Sequence, residues 1–245
     1  MPMTDVAGRK RASPMIYWVL GLTLCMMKAF VETQPCFALD RIEAGETIVY
    51  DIKKLKVTVG KAQLVYHGMV EVNKQRALSV TVTATGFKFF DKEQLYLDPE
   101  TFRPMIIERN LDIFGQKEDI IEFYDAQKGK VKIVKRAGGK TEQKVIEEGG
   151  RFDNIYGYIY RQRLAGQFNP KDTYDLHLPT LDVRLKLMET KHIEVNDQSY
   201  KAYLIASEPK KYKVWFDSGP RKLPLKIDGA IGWGKMSMVI REQVR

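Results

Sequence analysis

The chain is dominated by short stretches in which apolar residues alternate with polar ones. Residues 77–85, ALSVTVTAT, show the two-residue period most clearly, and this period is typical of a half-buried β-strand. Similar stretches rich in apolar, β-branched and aromatic residues recur along the chain, separated by short polar or glycine-containing turns. They cover residues 45–59, which have the pattern of a strand, a short turn and the start of another strand, and residues 60–72, 86–97, 102–114, 118–125, 130–135, 141–146, 173–178, 182–194, 200–207, 212–216, 223–227 and 231–241. Because parallel strands need crossovers of a dozen or more residues, these short connections predict an antiparallel sheet.

One stretch departs from this pattern. In residues 151–166, RFDNIYGYIYRQRLAG, apolar and aromatic residues recur at helical spacing. Asp153 can cap the start, and Gly166 suits the left-handed position that ends many helices. A single amphipathic helix over about residues 152–165 has to bury its apolar stripe against a sheet. We therefore predict a mainly β fold, in which one large curved antiparallel sheet or partial barrel packs against this helix.

The N-terminal segment has the pattern of a secretory signal peptide. Three basic residues, 9–11, precede an uncharged, mostly apolar run over residues 15–27, which is short for a membrane span. The small residue Ala38 offers a cleavage site. We predict a signal peptide over residues 1–38, a single antiparallel β domain over residues 39–245, and export to the periplasm. The mature protein would be membrane-proximal without spanning the membrane, or tethered to it if the signal is not cleaved.

Charge and cysteine usage narrow the class of partner. The formal net charge is +9 at pH 7, which favours acidic partners or an anionic surface. Both cysteines, Cys25 and Cys36, lie in the N-terminal segment, so cleavage would leave no disulfide and no thiolate site. In an exported protein we expect no nucleic-acid partner, and the oligomeric state stays open.

No residue pattern indicates catalysis. The three histidines lack the spacing of zinc ligands, and no serine has the sequence context of an activated nucleophile. Carboxylate pairs such as Glu147–Glu148 are explained by solvated turns, and the glycines near residue 232 do not form a phosphate-binding loop. We predict no catalytic residues, no metal site and no cofactor, and hence a protein that is not an enzyme.

The predicted helix supplies most of the candidate binding residues. Its tyrosines and arginines could line a ligand cavity, whereas core packing with the hydroxyls at the rim is the simpler explanation. The candidate ligand-binding residues are Tyr156, Tyr160, Arg161 and Arg163, together with Trp215 and Trp233 on later strands. Lysine-rich stretches at residues 53–56, 130–136 and 210–213 solvate strand faces, or alternatively contact anionic lipid head groups or lipopolysaccharide phosphates.

Four segments together resemble a known family. They are Gly45–Tyr50 followed by Gly60–Ala62, Phe152–Tyr156 with Tyr158, Tyr160 and Arg161, Lys213–Asp217 with Arg221, Leu223 and Pro224, and Ile231–Gly232. Their order and spacing resemble family 3108 of the domains of unknown function, found in exported proteins of Gram-negative bacteria. The family often has serine in the helix, where this chain has Asn154. The resemblance implies an antiparallel β domain in the periplasm or envelope, without an established activity or functional residues to carry over.

Three hypotheses about function follow. The first is an envelope protein without a catalytic site that binds a lipid or another hydrophobic ligand between sheet and helix. The second is a structural or assembly module that binds another envelope protein or a glycan. The third is an unrecognised hydrolase, which would need a cleft with a carboxylate pair or a Ser/His contact. The sequence alone does not separate them.

Overall fold

The computed structural model describes residues 42–165, 168–169, 171, 173–231 and 236–244. All of them belong to one compact unit, Phe37–Arg245. The predicted signal peptide and its cleavage site lie outside the described residues, and the predicted domain boundaries stay predictions. Within the described part, the chain forms fourteen strands and one α-helix. These are β1 (Thr47–Lys54), β2 (Val57–Val72), β3 (Gln75–Gly86), β4 (Phe89–Leu97), β5 (Pro104–Ile113), β6 (Gln116–Asp125), β7 (Lys130–Ala137), β8 (Lys140–Glu147), α1 (Ile155–Ala165), β9 (Thr173–Leu178), β10 (Leu181–Val195), β11 (Gln198–Glu208), β12 (Lys213–Asp217), β13 (Pro224–Asp228) and β14 (Ser237–Val244).

All fourteen strands belong to one antiparallel sheet. Its order is β8-β7-β6-β5-β4-β3-β2-β1-β14-β13-β12-β11-β10-β9. The first eight strands form one arm that runs outward from β1, and the last six form a second arm that runs inward from β9 to β14. The arms join where Thr47 of β1 pairs with Val244 of β14. The sheet is not closed, because β8 and β9 are its two edges.

The sheet curves around the helix. Tyr124 of β6 packs edge-on against Phe152, with ring centroids 6.0 Å apart, and Tyr174 of β9 lies 5.2 Å from the ring of Tyr158. β6 and β9 are far apart in the strand order, yet β6 reaches Phe152, three residues before the helix, and β9 reaches Tyr158 within it. Strands so far apart in one sheet can contact one short segment of chain only if the sheet curves. The predicted fold is confirmed: it is mainly β, with one curved antiparallel sheet and one helix.

The hydrophobic core fills the concave face beneath the helix. Alternate residues of each strand point to this face, because side chains in a strand have a period of two. In the central strands these residues include Ile48, Tyr50, Ile52, Leu64, Val80, Leu95, Val214, Phe216, Ile227 and Met238, all of them buried. Residue pairs in register share a face of the sheet, so the same row continues from strand to strand.

The helix differs in two details from its prediction. Asn154 caps it and not Asp153, since the Asn154 side-chain oxygen accepts a hydrogen bond from the Tyr156 amide at 2.8 Å. Asp153 instead joins the helix entry to β9, with its amide donating to the His177 carbonyl at 2.7 Å. In addition, residues around the whole helix circumference are buried, from Ile155 through Leu164, apart from the half-buried Arg161 and Gln162. A helix held between two arms of one sheet has little surface left for solvent.

Candidate functional site

A buried ion pair anchors the C-terminal half of the helix. The Arg163 guanidinium donates to both carboxylate oxygens of Glu46, from Nη1 to Oε1 at 2.5 Å and from Nη2 to Oε2 at 3.0 Å. The Glu46 Oε2 also accepts from Arg221 at 3.3 Å and from the Gln243 amide at 2.6 Å. We call Glu46, Arg163, Arg221 and Gln243 the helix-end cluster. It fixes the helix to the entry of β1, the β12–β13 loop and the end of β14.

Both members of the central pair are removed from solvent. The Arg163 side chain is 1% exposed. Burial alone would lower the pKa of the Arg163 guanidinium, but the hydrogen bonds to Glu46, together with the electrostatic effects of Glu46, Tyr160 and Tyr50, raise the pKa above its usual range. Arg163 therefore stays charged, and its two bonds to Glu46 have the geometry of a specific structural contact.

Stacked tyrosines lie beside this cluster. The Tyr160 ring stacks on Tyr66 with centroids 5.6 Å apart, and the guanidinium carbon of Arg163 lies 5.5 Å from the centre of the Tyr160 ring. Burial raises the pKa of the Tyr160 phenol, whose hydroxyl oxygen has no hydrogen-bond partner among the described residues. Nearby, the Tyr50 hydroxyl donates to the Pro224 carbonyl at 2.9 Å. The helix and the sheet are thus in direct contact here.

A second polar group lies at the N-terminal end of the helix. Asp91 and Glu93 share the concave face of β4, and Arg109 lies opposite Glu93 on β5. Arg109 donates to both oxygens of Asp91, at 2.9 and 2.6 Å. The Asn154 amide contacts Glu93 at 3.4 Å, while Glu122 on β6 accepts a hydrogen bond from the Tyr124 hydroxyl. We call Asp91, Glu93, Arg109 and Glu122 the carboxylate cluster.

The carboxylate cluster contains a group that titrates near neutral pH. Burial raises the pKa of the Glu93 carboxyl to about 7; Arg109 opposes this shift and Asp91 adds to it. Burial also raises the pKa of Glu122. Such a carboxyl can exchange a proton at physiological pH, a property shared by catalytic acids and by structural networks. Each carboxylate here already has a protein partner, so we interpret the cluster as part of the interior packing.

A cavity of about 850 Å³ lies at the ends of β11 to β14. Its apolar wall includes Met188, Leu204, Ala206, Ile231 and Met236, and its polar lining includes Lys210, Lys211 and Lys213. We call it the strand-end cavity.

Local contacts hold this cavity in shape. The Ser207 hydroxyl donates to the Pro209 carbonyl at 2.7 Å and accepts from the amides of Lys211 and Tyr212 at 2.9 and 2.8 Å, which fixes the β11–β12 loop. Gly229 has φ +84, and a Cβ there would lie 2.0 Å from the Lys211 carbonyl oxygen. Glycine is therefore required where the end of β13 meets this loop.

Comparison with known families connects this architecture to one of them. The model of the family DUF3108, described as a protein of unknown function, matches residues 48–241. The chain belongs to the DUF3108 family. This confirms the family resemblance seen in the sequence.

No curated protein matches the DUF3108 chain. Among solved structures, it is similar to the crystal structure of a beta-barrel-like protein of the domain of unknown function DUF1849 from Brucella abortus. The two share 8% sequence identity with a TM-score of 0.44, over 81% of this chain and 96% of that one.

The structure brings four of the six predicted binding residues together on the helix. Tyr156, Tyr160 and Arg163 are buried in contacts with the sheet. Arg161 donates to the Tyr174 hydroxyl at 2.5 Å and lies over the ring of Tyr174, 4.6 Å from its centre. Their surroundings are therefore protein side chains, and their role in ligand binding stays a prediction.

The two predicted tryptophans are not part of this group in the described structure. Trp215 pairs with Leu204 and Lys226, on the face of β12 opposite to the buried Val214 and Phe216. The Lys226 ammonium lies 4.5 Å from the centre of the Trp215 ring. Trp233 lies outside the described residues.

Other predicted features can also be located. His67 lies 2.7 Å from the Thr81 hydroxyl and His177 lies 3.1 Å from Asp182, and the described residues contain no group of three or more His, Cys, Asp or Glu side chains arranged to hold a metal ion. A search of the same residues finds no helix long and apolar enough to cross a membrane.

Sequence reasoning did not identify the two polar clusters. Glu46 and Arg163 are 117 residues apart, and nothing in the sequence joins them. Asp91 and Glu93 did carry a signal, because they continue the two-residue period of Phe89 and Leu95 on the buried face of β4. Charged residues in phase with a buried apolar row indicate a buried polar network.

Proposed function

We propose that this DUF3108 protein is an exported envelope protein without a catalytic site, which binds a lipid or a similar amphiphilic molecule in the strand-end cavity. The observation that carries the proposal is the cavity's combination of size, apolar wall and lysines. Its volume of about 850 Å³ lies within the range of small-molecule sites, roughly 300–1,000 Å³. The helix–sheet interface is less suitable, because Tyr156, Ile159 and Tyr160 are buried against the sheet.

The charges around the cavity favour an anionic head group. Its three carboxylates, Glu189, Glu208 and Asp228, each pair with a lysine that is not part of the lining, at 2.6, 2.7 and 3.6 Å. By contrast, Lys210, Lys211 and Lys213 form no ion pair with any residue that the structure describes. The lining therefore offers three ammonium groups that make no direct ion pair, although Lys210 interacts electrostatically with Glu208 and Lys213 lies opposite Asp228 in the sheet. A ligand with an apolar tail and a phosphate or carboxylate head fits both parts of the cavity.

Native mass spectrometry of the full chain, purified from its own envelope without added lipid, tests this proposal. We expect an amphiphile to co-purify with the wild type. It should be absent from an Ala206→Trp variant, in which the indole ring occupies part of the cavity. Lys201→Trp, on the same strand but exposed and away from the cavity, is the matched control and should retain the ligand. A wild-type protein that carries no small molecule, or equal ligand in both variants, would overturn the proposal.

Export is a separate part of this proposal and rests on the pattern of residues 1–38. Fractionation of cells that express the full chain, with N-terminal sequencing of the product, tests it. A periplasmic or membrane-associated product supports export, and a product that begins at residue 39 further supports cleavage after Ala38. An intact chain confined to the cytoplasm would contradict it.

A second candidate is a structural or assembly module, favoured by the way the buried helix ties both arms of the sheet together. In that case a specific envelope protein or glycan should be captured by cross-linking in cells. The candidate would be rejected if cross-links to the same partner did not recur between preparations. The hydrolase stays a third hypothesis, for which the carboxylate cluster offers titratable groups but no open cleft among the described residues.

A further inference from the structure

Three hairpin turns at the same end of neighbouring strands expose large apolar side chains. They are the β1–β2 turn with Leu55, the β3–β4 turn with Phe87 and the β5–β6 turn with Phe114. Leu55 is 92% exposed, Phe87 81% and Phe114 57%. Val57 and Val59, which follow Leu55 on β2, are also exposed. We call the three turns the tip row.

The three turns are neighbours in space. Gly60 of β2 pairs with Gly86 of β3, which places Val59 next to Phe87 at the end of this strand pair. The Phe114 amide donates to the Lys88 carbonyl at 2.8 Å, which joins the second turn to the third. The exposed side chains therefore form one row across the ends of these strands and are not scattered over the surface. A contiguous exposed apolar patch is a mark of an interaction site.

The backbone of the first turn makes its exposed leucine more unusual. Leu55 and Lys56 have φ values of 50 and 73, in the left-handed region. Two-residue hairpin turns of this kind favour asparagine and glycine, because other side chains are strained there. The β2–β3 turn follows the rule by placing Asn73 in its left-handed first position, as the β10–β11 turn does with Asn196. An apolar residue that is both strained and exposed stabilises neither the turn nor the core, and such positions are concentrated at functional sites.

The tip row is also basic. It carries Lys53, Lys54, Lys56, Lys88 and Lys117, against one carboxylate, Asp112. The Asp112 side chain accepts a hydrogen bond from the Gly115 amide at 2.9 Å and so takes part in forming the turn. Apolar side chains that project among lysines are suited to the head-group region of an anionic bilayer. The apolar side chains enter the interface, and the lysines contact lipid phosphates.

We propose that the tip row docks this protein onto the surface of an anionic lipid bilayer. Leu55, Phe87 and Phe114 enter the head-group region, and the lysines beside them contact the phosphates. The arrangement suits a bilayer better than a protein groove, since the row of apolar residues projects from the tips of three turns that also carry lysines. This inference does not depend on the strand-end cavity, whose lining shares no residue with the tip row.

Flotation of the full chain with vesicles tests the proposal. We expect binding to vesicles of phosphatidylglycerol and phosphatidylethanolamine, at least tenfold weaker binding to phosphatidylcholine vesicles, and weakening as salt is raised. A Leu55→Asn/Lys56→Gly/Phe87→Ser variant should bind anionic vesicles at least tenfold more weakly than the wild type. Because asparagine and glycine suit the turn, this variant should melt at the same or a higher temperature, so a loss of binding cannot be attributed to unfolding. Val145→Asn, a similarly exposed apolar position on the edge strand β8, should leave binding unchanged.

A local measurement separates the tip row from any contribution of the apolar run at residues 15–27. In a Phe87→Trp variant, the additional tryptophan emission should shift to shorter wavelength when anionic vesicles are added, relative to the wild type. Neutral vesicles should produce no such shift. Equal binding by the triple variant and the wild type, or a Phe87→Trp spectrum that anionic vesicles do not change, would overturn the proposal.

Discussion

The Arg163 guanidinium and the Glu46 carboxylate form a two-bond ion pair that solvent does not reach, between the helix and the entry to the first strand. Removing one partner of such a pair leaves the other charge buried without compensation. We expect Arg163→Met to lower the free energy of unfolding by about 3–5 kcal/mol. Urea unfolding at neutral pH measures it.

The control is the second arginine of the same cluster. Arg221 contacts Glu46 from a partly exposed position, so Arg221→Met should lower the free energy of unfolding by about 1 kcal/mol or less. A loss for Arg163→Met no larger than the loss for Arg221→Met would show that the buried pair does not hold the helix.

Glu93 should make the stability depend on pH. Its pKa is about 7 in the folded protein, against an ordinary value of 4.5. Between these values the folded state binds more protons than the unfolded chain, so the free energy of unfolding falls as pH rises through this window and stays low above it. The titration of Glu93 lowers the free energy of unfolding by at most about 3 kcal/mol. Denaturant unfolding from about pH 5 to pH 8 measures it.

The matched variants are Glu93→Gln and Glu108→Gln. The first removes the titrating group and should flatten the fall in stability between about pH 5 and pH 8. The second changes an exposed carboxylate on the other face of β5 from Arg109 and should leave the profile as in the wild type. Identical profiles for wild type and Glu93→Gln would contradict the raised pKa.

Gly157 should not tolerate alanine, although alanine is the better helix former. A Cβ at this position would lie 2.3 Å from the Phe102 carbonyl oxygen. We therefore expect Gly157→Ala to lower the free energy of unfolding by about 1–3 kcal/mol, the usual effect of overpacking. Thermal unfolding checks this, with Gln162→Ala on the half-buried side of the helix as the control. A Gly157→Ala protein as stable as the control would mean that the helix can move away from the β4–β5 loop, which contains Phe102.

Two tyrosine-to-phenylalanine changes should differ in their effects. Tyr50 donates a hydrogen bond to the Pro224 carbonyl, so Tyr50→Phe should lower the free energy of unfolding by about 1 kcal/mol. The Tyr160 hydroxyl has no partner among the described residues, so Tyr160→Phe should leave stability unchanged or raise it. Chemical denaturation of both variants compares them. A larger loss for Tyr160→Phe would indicate a hydrogen bond to a residue that the structure does not describe.

The sequence predicted the strands, the turns and the helix better than the tertiary contacts between them. The alternation in residues 77–85 lies within β3, but the strand is buried on both faces from Ala77 to Val82, and only Thr83 and Thr85 on the polar side are more accessible. The pattern of residues 45–59 predicts a strand, a short turn and the start of another strand, and the structure places this turn at Leu55–Lys56. The turn lacks the glycine or asparagine that usually marks its exact position. Asp153 was a reasonable cap by residue type, but its contact with β9 depends on the fold of the whole chain.

The helix-end cluster was beyond sequence reasoning for a similar reason, whereas Asp91 and Glu93 of the carboxylate cluster carried a signal in their phase along β4. The Glu46–Arg163 pair depends on how far the sheet curves around the helix, and curvature leaves no local pattern. The strand order had the same limit: short connections predict neighbouring hairpins, but not that β14 returns to pair with β1. Three of the binding candidates on the helix, Tyr156, Tyr160 and Arg163, face the interior, but their neighbours could only be known from the packed structure.

The pairing of β1 with β14 also affects how the protein is made. Thr47 near one end of the described chain pairs with Val244 near the other, at the junction of the two arms of the sheet. A ribosome therefore releases the whole first arm before the strand that covers the open side of β1 has been synthesised. Pairings so distant in sequence form slowly, and an uncovered strand edge promotes association with other chains in the meantime. In the newly made chain, the edge of β1 thus stays exposed until β14 has been synthesised and has paired with it. A chaperone that binds unfolded chains would matter most during this period.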